Sequence, residues 1–259
     1  MAVKVFEERL GHFEEIEQEA KIMTKLGNHP NVIPFIGLAH KDGKIYLLTK
    51  LCSHGSLHDY FIKTKTSSTY SRMNKIILQM CIGLNYLHLN QVIHRDVACR
   101  NFLLDADQRV YISDFGMSRM LVSLDAVQST AAQEGPIRWM APESLGEKMY
   151  STKSDVYMFG ITLWELLTRE IPFGAYLNLL DVFEAVIRGE RPDIPSDTPA
   201  PYQFILTSCW QTDPHARMSL EKMIEILTDY SASLGCNKNE LDQMKQFHLS
   251  IDVHYEKMD

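Results

Sequence analysis

The sequence predicts an α+β chain of two unequal lobes, a small strand-rich one followed by a larger, mainly helical one. Three observations carry this. In the first 50 residues, runs of strand-like apolar residues surround one helical repeat. From residue 70 onward the long periodic stretches are helical. The least regular stretch, 91–143, falls between these regimes, and a junction between lobes is an ordinary place for a ligand cleft.

Residues 1–6, MAVKVF, alternate like a strand and put Lys4 on the face of Ala2 and Phe6. A lysine on an inward face needs a partner or a ligand. Residues 12–26, HFEEIEQEAKIMTKL, space Phe13, Ile16, Ala20 and Met23 as one helix face, and Gly27 and Pro30 end it. VIPFIGLAH and KIYLLTKL read as strands joined by the turn KDG at 41–43. SHGSLHDYFIK reads as a turn and a short helix, and residues 70–90 have the apolar density of a buried helix. VIHRDVACRNFLLDADQRVYISDFG mixes short strands with turns, and 117–138, without a clear period, reads as a loop. Helices are expected at 154–169, 178–188, 200–210 and 219–232, and 233–259 reads as a polar tail.

The totals narrow the function classes. With 259 residues, 45% hydrophobic and 23% charged, the chain is an ordinary globular one with room for a good core. Its net charge of −7 argues against broad nucleic-acid or anionic-membrane binding, though not against a phosphorylated ligand. Five scattered cysteines without a C-x-x-C pair argue against a disulfide framework or a zinc site and point to reduced, cytoplasmic thiols. No run approaches the roughly 18 apolar residues of a membrane span, so no transmembrane segment is expected within the chain. It could still be the intracellular part of a membrane receptor.

The chemistry is concentrated in three short motifs: HRDVACRN (94–101), DFG (114–116) and APE (141–143). Each alone is weak, since a lone aspartate is as readily a turn or capping residue. In this order and at these distances, with Lys4 ahead of them, they resemble the protein kinase signature over about residues 1–230. The resemblance implies a two-lobed kinase-like fold, ATP and magnesium as ligands, and a protein substrate.

It also implies roles. Asp96 would take the proton of the incoming hydroxyl, and Asn101 and Asp114 would hold magnesium. Lys4 would grip the α- and β-phosphates and pair with a helix glutamate. Helix geometry removes Glu14, which lies opposite the apolar stripe, but leaves Glu17 and Glu19 flanking it. The family register of EQEAKIM selects Glu19. Thr49 would guard the back of an adenine pocket, the backbone of Lys50 and Cys52 would bond the adenine edge, and Ala2 and Leu103 would sandwich the ring. Met23, Phe35, His94 and Phe115 match stacked spine positions. Asp155 matches a residue supporting the catalytic loop, and Glu143 and Arg217 match a buried ion pair.

Two loops resemble the tyrosine-specific branch. Ala98 stands where serine/threonine kinases carry lysine, and Arg100 follows Asp96 by four as in D-L-A-A-R-N. GPIRWMAPE supplies Pro136, Arg138 and Trp139, a substrate platform on which proline can face a phenol ring. The resemblance therefore implies transfer of the ATP γ-phosphoryl group to protein tyrosines in signalling, with Arg100, Pro136 and Trp139 contacting substrate.

Two departures qualify it. No tyrosine lies between Asp114 and Glu143, so activation by tyrosine phosphorylation there is not expected, and Ser129 and Thr130 are the nearest hydroxyls. No G-x-G-x-x-G precedes Lys4 or occurs elsewhere, so the expectation is a truncated, incomplete small lobe (1–52), a large lobe (53–232) and a tail (233–259). The alternatives are a non-catalytic kinase-like scaffold, favoured by the missing loop, and a serine/threonine or dual-specificity kinase.

Overall fold

The computed structural model describes residues 1–7, 12–64, 68–123, 126–129 and 136–236. The alternating runs at the start form one antiparallel sheet, order β1-β3-β2, from β1 (Ala2–Glu7), β2 (Phe35–Lys41) and β3 (Lys44–Thr49). Lys4 lies opposite Leu47, and Leu47 opposite Leu38. The hairpin between β2 and β3 turns at Asp42 and Gly43, whose φ values of 53° and 68° suit an Asp-Gly pair. The second strand starts at Phe35 rather than at Val32, because Pro34 breaks the run, and Val32 forms only an isolated bridge to Ile112. Val3, Val5, Ile36 and Leu38 are exposed, while Ile45 and Leu47 are buried.

Helix α1 (His12–Leu26) has the bounds its periodicity predicts. Its Ile16, Ala20 and Met23 are buried, with Ile22 and Leu26 beside them; the side chain of Phe13 lies outside the described set. Gly27, at φ 59°, ends the helix and donates to the Met23 carbonyl at 3.2 Å.

The next segment is fastened to the large lobe, whose axis is α2 (Tyr70–Leu89). Asn31 Nδ2 donates to Gln79 Oε1 at 3.2 Å and to the Val110 carbonyl at 2.8 Å. A Cβ on Gly83 would come within 2.6 Å of the Asn31 carbonyl, so only glycine permits this approach. Tyr86 donates to the Leu26 carbonyl at 2.7 Å and stacks on His29 at 4.0 Å.

Beyond α2 come β4 (Val92–Ile93), β5 (Phe102–Leu104) and β6 (Val110–Ile112), with β5 pairing β6. The stretch 117–138, expected as a plain loop, contains two short strands. They are β7 (Arg119–Met120), paired with β4, and β8 (Gln128–Ser129), paired with β9 (Met149–Tyr150). Two-residue strands carry no readable period; their partners create them. Thr130 lies outside the described residues.

The remaining helices are α3 (Pro142–Gly146), α4 (Thr152–Thr168), α5 (Leu179–Ile187), α6 (Ala200–Cys209) and α7 (Leu220–Ser233). Ser151 caps α4 in a reciprocal box with Ser154, and the helix is buried from Ser154 to Leu166. A helix buried all round belongs to the centre of a core. At Gly160 a Cβ would stand 2.5 Å from that of Cys209, which sets how closely α6 approaches. Asn74 ties α2 to α7 through the Leu227 carbonyl at 2.7 Å and Ser231 Oγ at 2.6 Å. Residues 237–259, most of the expected tail, lie outside the described residues. Among the described residues no helix is long and apolar enough to cross a membrane.

Candidate active site

The segment from His94 to Asn101 joins β4 to β5 and is held from beneath by Asp155, which is wholly buried in the first turn of α4. Asp155 Oδ2 accepts the His94 N–H at 2.7 Å and lies 3.0 Å from His88 Nε2, while Oδ1 accepts the Arg95 N–H at 2.9 Å. These bonds hold Arg95 at φ 68°, a conformation unfavourable to a residue with a Cβ. His94 Nε2 lies 3.0 Å from the Ser113 carbonyl, and its Nδ1 accepts the Asp96 N–H at 3.2 Å, so the neighbours set the tautomer.

Asp96 projects from this frame with its carboxylate fixed on both sides. Arg100 Nη2 pairs with Oδ1, and Asn101 Nδ2 donates to Oδ2 at 2.8 Å and to the Asp96 carbonyl at 2.7 Å. Ser113 donates from both N and Oγ to the Asn101 carbonyl at 2.9 Å, which sets Asp114 beside this loop.

Across from it, Lys4 Nζ reaches Glu19 Oε2 at 3.1 Å and Asp114 Oδ1 at 2.9 Å. Glu17, the residue helix geometry left open, is exposed and pairs with Lys21 at 2.9 Å. Glu19 is 4% exposed, whereas Lys4 and Asp114 have side-chain exposures of 43% and 48%. Lys4 is thus more open than an inward strand position suggests. Burial lowers the Lys4 ammonium, but the charges of Glu19 and Asp114 and their hydrogen bonds outweigh it and leave its pKa above the usual value. Burial drives the Glu19 carboxyl up more than Lys4 draws it down. Asp114 differs: burial pushes its carboxyl up, but the charge and hydrogen bond of Lys4 prevail and hold it below its usual range.

Around the expected adenine pocket, whose hinge is the segment from Lys50 to Cys52, Thr49, Ala2 and Leu103 are half-buried. The Lys50 N–H donates to the Pro34 carbonyl at 3.0 Å, so an adenine edge would have to use the Lys50 carbonyl rather than its N–H. Cys52 is buried, and burial pushes its thiol up to about 11. His94 and Phe115 are in tilted ring contact at 5.6 Å; Met23 is buried and Phe35 half-buried. Arg217 grips both Glu143 oxygens at 2.7 Å.

The proposed substrate platform begins at Pro136, whose carbonyl accepts the Trp139 N–H at 2.8 Å in a short 3-10 turn (Ile137–Trp139). The Arg100 guanidinium lies over the Trp139 ring at 4.9 Å. Arg138 donates to the carbonyls of Pro172, Phe173 and Tyr176, tying the turn to the segment beyond α4.

Two groups were not anticipated. Lys50 Nζ binds Asp105 Oδ2 at 2.7 Å and also Tyr111 Oη, which donates to the same carboxylate at 3.0 Å. These partners are 55 and 61 positions away, and no local pattern joins them. Glu165 is 3% exposed and accepts from the Cys99 N–H at 3.1 Å and from Trp139 Nε1 at 2.9 Å. A lone carboxylate inside the apolar run ITLWELL was its signal.

The family profile for protein tyrosine and serine/threonine kinases matches residues 1–227. The chain is similar to serine/threonine-protein kinase STY17 of Arabidopsis thaliana, 34% identical over 88% of this chain and 40% of the relative. It is 34% identical to the tyrosine-protein kinase receptor TYRO3 of Danio rerio, over 88% of this chain and 28% of that one. It is 36% identical to the dual specificity protein kinase shkD of Dictyostelium discoideum, over 82% and 29% respectively. The chain thus spans between about a quarter and two fifths of the length of these relatives.

Proposed function

The chain belongs to the protein tyrosine and serine/threonine kinase family, and on that premise we propose that it is an ATP- and magnesium-dependent protein kinase domain acting on tyrosine hydroxyls of protein substrates in signalling. The observation that carries this reading is the paired arrangement at the cleft. One lysine holds both Glu19 and Asp114, and one aspartate is fixed by both Arg100 and Asn101.

Phosphoryl transfer concentrates negative charge on the moving group, so positioned cations and a carboxylate at the incoming hydroxyl are what it needs. Lys4 would contact the nucleotide phosphates. Asp96 would accept the acceptor's proton as the hydroxyl oxygen bonds to the γ-phosphorus and ADP leaves. Magnesium fits the donors present, because Asp114 offers an accessible carboxylate and Asn101, with Nδ2 committed to Asp96, keeps Oδ1 as its remaining acceptor. Bound there, magnesium would neutralise charge on the phosphate oxygens.

Tyrosine as acceptor is favoured by Ala98 with Arg100 and by the Arg100–Trp139 stack beside Pro136. The relatives carry serine/threonine, tyrosine and dual specificity in their names, which keeps a serine/threonine or dual acceptor as the second reading. Mg-ATP assays with matched peptides carrying only tyrosine, or only serine and threonine, separate them. Asp96→Asn is expected to lose about 100-fold or more of the transfer. Equal signal from the variant and the natural chain would overturn the catalytic assignment.

A further inference from the structure

We propose that Glu165 is a positioning residue that sets the substrate platform against the catalytic aspartate and so governs use of the acceptor rather than of ATP. The inference rests on the kinase reading above. A buried carboxylate is retained at a cost unless its lone pairs are used. In Glu165 they are spent on two functional segments at once. Oε2 accepts the Cys99 N–H at 3.1 Å, within the loop that carries Asp96, and Trp139 Nε1 at 2.9 Å, on the platform. Oε1 lies 3.4 Å from His58 Nδ1.

From Trp139 the chain of contacts continues to the chemistry. The indole supports the Arg100 guanidinium at 4.9 Å, and Arg100 pairs with Asp96. One carboxylate on the buried, rigid α4 therefore fixes Asp96 by two routes, through the backbone of its own loop and through the platform. Neither route passes through Lys4, Glu19 or the hinge. Displacing Glu165 should alter where the acceptor hydroxyl meets Asp96 and leave the nucleotide contacts in place.

Glu165→Gln keeps the shape but removes the charge and one acceptor. Both N–H groups share Oε2, so the glutamine carbonyl can still accept both but as a neutral acceptor, and kcat/KM for the acceptor peptide is expected to fall about 10-fold, with KM for ATP within about twofold. Trp139→Phe removes only the indole donor and keeps a ring under Arg100, so it should give a smaller loss of the same kind. The double variant should lose less than the product of the two, since both cut one chain. A KM for ATP raised as much as that for the peptide, no loss, or fully multiplicative losses would overturn the proposal. Should Glu165→Gln fail to fold, Glu165→Asp decides, since it keeps the charge but draws it back from the Cys99 N–H and the Trp139 indole: an acceptor-specific loss supports the proposal and none refutes it.

A second readout needs no turnover. The three tryptophans place their indole N–H groups in three settings: Trp139 on a carboxylate, Trp164 on the Asp193 carbonyl at 2.7 Å, and Trp210 buried without a partner among the described residues. In ¹⁵N-tryptophan-labelled protein, Glu165→Gln should move the Trp139 indole resonance upfield and leave the other two in place. An unmoved Trp139 resonance would overturn the proposal. If the natural chain phosphorylates no peptide, the kinase reading fails and the indole resonance alone decides this one.

Discussion

Replacing Asp155 by asparagine removes a charge from a wholly buried position and converts one of two accepting oxygens into a donor. Three groups face the carboxylate: the His94 and Arg95 N–H groups at 2.7 and 2.9 Å, and His88 Nε2 at 3.0 Å. Asparagine can satisfy one side only, so either Arg95 or the His94 and His88 pair is left facing an NH₂. Loss of a hydrogen bond to a charged group costs about 1.5–3 kcal/mol, and a stranded buried N–H adds about 1–3 kcal/mol, so about 3 kcal/mol is a restrained sum. For a chain of this length each kcal/mol moves Tm by about 2–4 °C, which gives a fall of roughly 6–12 °C. The left-handed Arg95 backbone costs about 1–2 kcal/mol to hold, so it should relax once its anchor is weakened. Thermal unfolding by circular dichroism measures the first effect, and amide hydrogen exchange at 94–96 measures the second. A Tm within about 2 °C of the natural chain, with unchanged exchange, would refute the reasoning.

Arg217→Met strands the Glu143 carboxylate, of which only 13% is exposed, along with the Lys153 and Gln211 carbonyls that Arg217 also binds. It should cost about 3–5 kcal/mol by chemical denaturation. Glu143→Gln should cost less, because Arg217 keeps those carbonyls; the reverse order would be inconsistent with the geometry. Lys4→Met removes what holds the Asp114 carboxyl below its usual range, so its midpoint in a ¹³C-carboxyl NMR titration should rise. Because that carboxyl is depressed in the folded chain, its stability contribution is present above the ordinary value of 3.8 and is lost as pH falls through the folded value. In Lys4→Met this contribution should disappear, and an unmoved midpoint would rule out Lys4 as the cause. Cys52, with its thiol near 11, should be alkylated by iodoacetamide at a rate rising about tenfold per pH unit from 8 to 10, read by peptide mass spectrometry. A plateau below pH 9.5 would contradict it.

The elements legible in advance were those with a period of their own. Helix α1 and the helices from α4 onward follow apolar spacing, and the β2–β3 turn follows its Asp-Gly pair. The candidate site residues could be picked out only through motif order, since nothing local separates Glu17 from Glu19. In the fold the two differ in burial, 4% exposure against an exposed side chain paired with Lys21. The Glu165 and Lys50 clusters draw on segments far apart in the chain, and β7 and β8 exist through their partners. Such features follow from tertiary packing and have no local pattern to read.

The fastening of Leu26 and Asn31 to the large lobe, by Tyr86 and by Gln79 with the Val110 carbonyl, gives α1 a fixed fulcrum at its C-terminal end. Glu19 sits seven residues inward from Leu26, an arm of about 10 Å at 1.5 Å per residue. A tilt of about 10° about that fulcrum carries Glu19 through about 2 Å, enough to part a hydrogen bond from Lys4. Small angular play at the pivot would thus become contact or separation between Glu19 and Lys4 at the cleft.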